Sequence, residues 1–252
     1  MTHTEKENTL PCQGLVIGAS SAIARELISQ LLADPSVSLV VAISRSQDTD
    51  LLNANDSRLI RIQSDYSEGS IQEIVAQLSG MKIEIERVFI CNGILHGKSI
   101  FPEKRLEDLH SDAFLKVMQV NALIPMMWVK YLKTLVKKDQ KIIFTAFSAR
   151  VGSIDDNQRG GWYSYRASKA ALNMLLKTAS IEYSRISSRS KFLAFHPGTT
   201  DTPLSQPFQK SVPAEKLFST TFVVERLLCI VNALQTGSAI QFLDWEGKTV
   251  SW

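Results

Sequence analysis

The chain of 252 residues has little cysteine: Cys12, Cys91 and Cys229 stand far apart, and no Cys-x-x-Cys pair occurs. That excludes a disulfide framework and a cysteine zinc site. Its histidines, His3, His96, His110 and His196, are scattered, and no metal site is expected from them. No block of five or more basic residues appears, and the net charge is only +3. Neither nucleic acid nor an anionic membrane is therefore an expected partner. No run reaches the roughly 18 apolar residues that a membrane span needs. The first eleven residues carry Glu5 and Glu7 and no apolar stretch, unlike a signal peptide. The expectation is a cytoplasmic protein with a disordered tail, 1–11, and a single domain, 12–252.

What is present is an ordinary globular composition, 44% hydrophobic and 21% charged, enough for a sizeable core. Apolar runs at 12–18, 37–43, 59–63, 86–91, 141–147, 191–196 and 239–243 read as strands. Helical periodicity fills 22–33, 69–79, about 112–138, the segment around Tyr165 and Lys169 (Ala167, Ala170, Ala171, Met174, Leu175 and Thr178), and 219–235. Pro125 should kink or break the long helix. Strands alternating with helices imply βαβ units and a doubly wound parallel α/β sheet of about seven strands. The nearly continuous apolar run at 37–43 suits a sheet covered on both faces.

Tyr165 and Lys169 lie four apart in a helical segment and so share one face. A cation beside a phenol favours the phenolate, which would tune the tyrosine for proton transfer. With 5 Tyr and 16 Lys in the chain, chance alone supplies about 0.3 such pairs, so the pair needs a cofactor site in front of it. One is expected at Gly18-Ala19-Ser20-Ser21-Ala22-Ile23-Ala24, where the first strand meets the first helix. Gly18 permits a tight turn, and Ser20, Ser21 and Ile23 lie where a helix N-terminus meets a pyrophosphate. The other two glycine positions hold Ala22 and Ala24. Arg45 ends the second strand, where an arginine fork suits a 2′-phosphate, so NADP(H) is favoured over NAD(H). Asp65 follows the third strand, where it would contact the adenine. Asn92 and Gly93 end the fourth, beside the adenosine ribose.

Four segments carry a resemblance: 152–154 with 160–169, Val120-Asn121-Ala122, the stretch from His196 to Ser205, and the stretch from Phe242 to Lys248. Together they resemble the short-chain dehydrogenase/reductase superfamily along nearly the whole chain, and within it the C-factor-like (cell–cell signalling C-signal type) bacterial proteins. The resemblance implies a Rossmann-type fold and an NAD(P)H-dependent oxidoreductase that reduces a small aldehyde or ketone. It makes Tyr165 the proton donor, has Lys169 bind the nicotinamide ribose, and has Asn121 interrupt the long helix and hold a relay water. It puts Pro197, Gly198, Thr200 and Thr202 on the loop over the nicotinamide and its phosphates, with a substrate lid at about 199–218. Phe208, Trp162 and Leu217 either line an apolar pocket there or are ordinary packing. It also implies a homodimer or homotetramer through the 112–138 helix, with Met118, Met126, Met127 and Trp128, and the alanine-rich helix of Tyr165; the alternative for the Met residues is the protein's own core. The usual catalytic serine is Ala149 here, so Ser148 or Ser153 must supply the hydroxyl if any residue does. The alternative is a nucleotide-binding regulatory protein with little or no turnover.

Overall fold

In the computed structural model, which describes residues 12–46, 55–234 and 239–252, apolar strand residues find partners on both sheet faces. The expected tail, 1–11, lies outside the described residues. In strand β1 (Cys12–Ile17), Leu15 and Ile17 enter one core and Val16 the other. In β2 (Val37–Ser44), Val41 and Ile43 face the first core, and Val40 and Ala42 the second. Successive side chains on a strand point to opposite faces, so an unbroken apolar run requires a covered sheet.

β3 (Leu59–Gln63), β4 (Arg87–Ile90), β5 (Ile142–Phe147), β6 (Ser190–His196) and β7 (Ile240–Asp244) complete the sheet. All seven strands run parallel, in the order β3-β2-β1-β4-β5-β6-β7. Helices α1 (Ala22–Ala33) and α6 (Thr220–Ala233) pack on one face. α2 (Glu68–Gly80), α4 (Ile124–Leu132) and α5 (Tyr163–Ser184) pack on the other. Ser21, Ser67 and Ser219 each cap a helix by accepting a hydrogen bond from the backbone N–H three residues on. The strand order reverses between β1 and β4, which opens a crevice at the carboxyl ends of these strands.

The long helix is interrupted, but not at Pro125. α3 (Ser111–Met118) runs into a wider π turn at Gln119–Leu123, and α4 follows with Pro125 in its first turn. Proline lacks the N–H that would bond back four residues, and its first-turn position needs none. The wide turn lets the Ile124 N–H reach the Gln119 carbonyl instead. Trp128, expected at a subunit surface, is fully buried, and Met126 and Met127 pack against the same core.

The segment after β6 is tied at its base, where Thr199–Thr200 pairs with Leu217–Phe218. Among the described residues no helix is long and apolar enough to cross a membrane, and no group of three or more His, Cys, Asp or Glu could hold a metal ion.

Candidate active site

Three adjoining cavities follow the crevice. The first, about 310 Å³, is lined by Gly18, Ser20, Ser21, Arg45, Asp65, Asn92 and Gly93. It shares Ser21, Cys91, Asn92 and Gly93 with a second of about 210 Å³, which adds Ile23, Phe147, Ser148, Tyr165, Lys169, Pro197 and Thr202. The third, about 610 Å³, shares Ile23, Ser148, Tyr165, Pro197 and Thr202, and extends past Gly198 and Thr200 to Trp162 and Phe208. The expected site residues thus line one connected groove, except Asn121, Ser153 and Leu217. Trp162 and Phe208 line the third cavity as expected; Leu217 does not.

Local geometry explains the meeting. Gly18 has φ +83°, and a Cβ there would stand 3.0 Å from the Asn92 nitrogen, so the first turn can pass close to the end of β4 only as glycine. α5 lies against the turn at Arg150–Gly152 so closely that a Cβ on Gly152 would stand 2.7 Å from the Lys169 Cβ. Asn121 sits behind the groove as a strap. Its Oδ1 accepts from the Ile94 N–H (2.7 Å), and its Nδ2 donates to the Ile94 carbonyl (2.9 Å) and to Ser168 Oγ (2.9 Å). That fixes the loop after β4 against α5, one residue before Lys169.

The two candidate serines separate cleanly. Ser148 is buried, continues the β5 ladder by donating its N–H to the Phe195 carbonyl, and lines the cavity with Tyr165. Its hydroxyl donates to Asn173 Oδ1 at 2.6 Å. Ser153 faces elsewhere, accepting from the Asp156 N–H and donating to the Trp252 carbonyl, and lines none of the three cavities. Ala149 lines the third cavity and brings no donor.

Electrostatics depart from the expectation for Tyr165. Its pKa is not lowered: burial pushes it up to about 12. The Lys169 ammonium lies 5.6 Å from the ring centroid and donates to the Phe147 carbonyl at 2.7 Å. Burial brings Lys169 itself down to about 8. Desolvation is the cause in each case and disfavours both charged forms.

This has a consequence for stability. Between about pH 8 and 10.5 the unfolded chain keeps a Lys169 proton that the folded chain has lost. Stability should therefore rise with pH across that window, by up to about 1.4 kcal/mol per pH unit. Below pH 8 both states hold the proton, and the cost of burying the ammonium is fully present. Tyr165 acts oppositely above about pH 10, where the unfolded phenol ionises and the folded one does not. Urea unfolding between pH 7 and 10 should show the rise in the natural protein and not in Lys169→Met. Parallel curves for the two would refute it.

Sequence reasoning missed two supporting residues. Tyr66 lines the first cavity; its hydroxyl accepts from the Gly18 N–H (3.1 Å) and donates to the Ile43 carbonyl (3.2 Å), pinning the turn after β1. Glu103 is buried at the start of α5, where its carboxylate accepts from the Ser164 N–H (3.2 Å) and hydroxyl. A carboxylate at a helix N-terminus is favourable, and this one fixes the turn that carries Tyr165. Both contacts span tens of residues, and no local motif announces them.

Comparison with known proteins agrees with this geometry. The short chain dehydrogenase family profile matches residues 14–213. The 1-hydroxy-2-glutathionyl-2-methyl-3-butene dehydrogenase of Rhodococcus sp. (strain AD45) is 28% identical over 242 residues, 94% of this chain and 98% of that protein. The C-signal of Myxococcus xanthus is 31% identical over 105 residues, 42% of this chain and 58% of its own. A short-chain dehydrogenase/reductase structure from Burkholderia multivorans with bound NADP has a TM-score of 0.80 at 24% identity, covering 96% of this chain and 100% of that one. Carbonyl reductase Sniffer of D. melanogaster gives 0.79 at 20% identity, covering 96% and 100%. The structural likeness shows the fold, and the profile match, spanning most of the chain, shows that the protein belongs to the short-chain dehydrogenase/reductase family of oxidoreductases.

Proposed function

We propose that the protein reduces a small aldehyde or ketone with NADP(H), and that Tyr165 is the proton donor. The observation that carries this reading is the convergence of Tyr165 and Lys169 on the same groove as the turn after β1. The groove fits a dinucleotide. Gly18 allows close approach, and the buried Asn92 Oδ1 has no partner of its own. The exposed Arg45 stands at the far end. Gly18, Ser20, Ser21 and Ile23 would hold the pyrophosphate, Arg45 the 2′-phosphate, Asp65 the adenine, and Asn92 and Gly93 the adenosine ribose. Pro197, Gly198, Thr200 and Thr202 would cover the nicotinamide end. When bound, the reduced nicotinamide supplies a hydride to the carbonyl carbon.

The chain's own part is binding and proton delivery. Tyr165 is protonated at neutral pH, the state a donor to the developing alkoxide requires. Lys169 gives one N–H to the Phe147 carbonyl and has two left for the nicotinamide ribose. Asn121 holds α5 and the loop after β4 in register, and its relay water is part of this proposal. Purified protein should consume NADPH with some member of an aldehyde and ketone panel.

A second reading, a nucleotide-binding regulator with little turnover, is favoured by the donor deficit at Ser148 and Ala149. Tight NADPH binding without consumption across the panel would select it.

We also propose that the protein is a cytoplasmic homodimer or homotetramer. Leu115 (63% exposed) on α3 and Met174 (67% exposed) on α5 leave apolar side chains in water on two packed helices. Light scattering should give a multiple of 28.1 kDa, and a monomeric mass would refute it.

A further inference from the structure

The third cavity is graded along its length. At its inner end are Ser148 and Tyr165. Its wall is aromatic: Trp162 packs edge-on to Tyr165 (6.1 Å between ring centroids) and to Phe208 (5.0 Å), and Phe208 meets His96 at 5.9 Å. Its charged lining is entirely basic, Arg150, Arg159 and Lys210, with no Asp or Glu. Arg150 is already neutralised by Asp244 Oδ2 at 3.0 Å. His196, which also lines the cavity, is kept neutral by burial.

That leaves Arg159 and Lys210. They belong to different segments, the loop before α5 and the short helix Gln206–Ser211, and both are exposed. Neither forms an ion pair among the described residues. Elsewhere exposed lysines do find carboxylates: Lys130 meets Glu68, Lys137 meets Glu84 and Lys248 meets Glu246. Nearby acids do not line the cavity: Asp155 and Asp156 lie outside it, and Asp201 is held by Gln209 Nε2 at 3.0 Å.

We propose that Arg159 and Lys210 form an anion subsite, and that the substrate is an aldehyde or ketone joined through an apolar body to a carboxylate or phosphate. The carbonyl would lie at Tyr165, the apolar body along Trp162 and Phe208, and the anion between the two cations. This rests on the reductase reading for the carbonyl end alone.

The test compares kcat/KM for 4-carboxybenzaldehyde and 4-formylphenyl phosphate with that for methyl 4-formylbenzoate, a neutral analogue of similar shape. At least one anion should be favoured on the order of tenfold, the worth of one charge-assisted contact. The two anionic arms show which headgroup fits. The preference should appear in KM, shrink between about 0.05 and 0.5 M salt, and fall in Arg159→Gln and Lys210→Gln. Equal values for all three aldehydes, or a preference unchanged in both variants, would overturn it. If no aldehyde turns over, calorimetry with 4-(hydroxymethyl)benzoate and 4-(hydroxymethyl)phenyl phosphate against benzyl alcohol decides. Tighter binding of an anion that is lost in the variants upholds the subsite while the reductase reading falls. Equal or absent binding overturns the subsite.

Discussion

Tyr165→Phe should reduce NADPH-linked carbonyl turnover by about 10²–10⁴-fold, the usual worth of a positioned general acid, while leaving NADPH affinity intact. The substitution removes one atom. The hydroxyl has no protein partner among the described residues, and the ring's edge-on packing against Trp162 survives in phenylalanine. Stability should therefore change little, so lost turnover would report chemistry rather than unfolding. NADPH should still raise the melting temperature, since a ligand that binds only the native state stabilises it. Turnover within a few-fold of the natural protein would remove Tyr165 from the acid role. A lost thermal response would point to damage in the groove.

Ala149→Ser should have the opposite sign. A reduced carbonyl develops negative charge on oxygen, and one preorganised donor there is typically worth about 10²–10³ in rate. The structure puts no such donor at Ala149, and the Ser148 proton is committed to Asn173. Ala149 has extended backbone angles and faces the cavity, so a serine hydroxyl would enter the groove without strain. kcat should rise by up to about 10²-fold with little change in NADPH binding. Ser148→Ala is the paired control. If Ser148→Ala costs that factor and Ala149→Ser gains nothing, Ser148 already serves the carbonyl by breaking its bond to Asn173. If neither changes kcat, the site works without this contact.

The fold was legible because its signals are local. The apolar run at 37–43 required a sheet buried on both faces, and β2 has that setting. The helix read at 22–33 is α1, since Ser21 before it and Asp34-Pro35 after it mark both ends within a few residues. The four-residue spacing of Tyr165 and Lys169 put them on one face, and only the body of α5 was needed to realise it. Where a signal was local but ambiguous the reading slipped. Pro125 does not break the long helix; the π turn that holds Asn121 does, as the resemblance implies for that residue. Trp128 on that helix suggests a subunit surface but fills the core, and Met126 and Met127 take the core role that was the alternative for them.

The sequence by itself determined the element order, the parallel sheet, the shared face of Tyr165 and Lys169, and the groove residues at each strand end. Periodicity and turn chemistry act over a few residues, and alternation with helices makes the strands parallel. Only the tertiary structure decided which serine faces the groove, since a residue just past a strand turns according to what packs on it. Ser148 meets Asn173, 25 residues away, and Ser153 meets Trp252, 99 residues away. It alone brought the Tyr66 hydroxyl to the Gly18 turn and Glu103 to the start of α5. It also set the direction of the Tyr165 pKa. Spacing puts a cation beside the phenol, but burial decides how strongly either can be charged, and burial is a property of the packed whole.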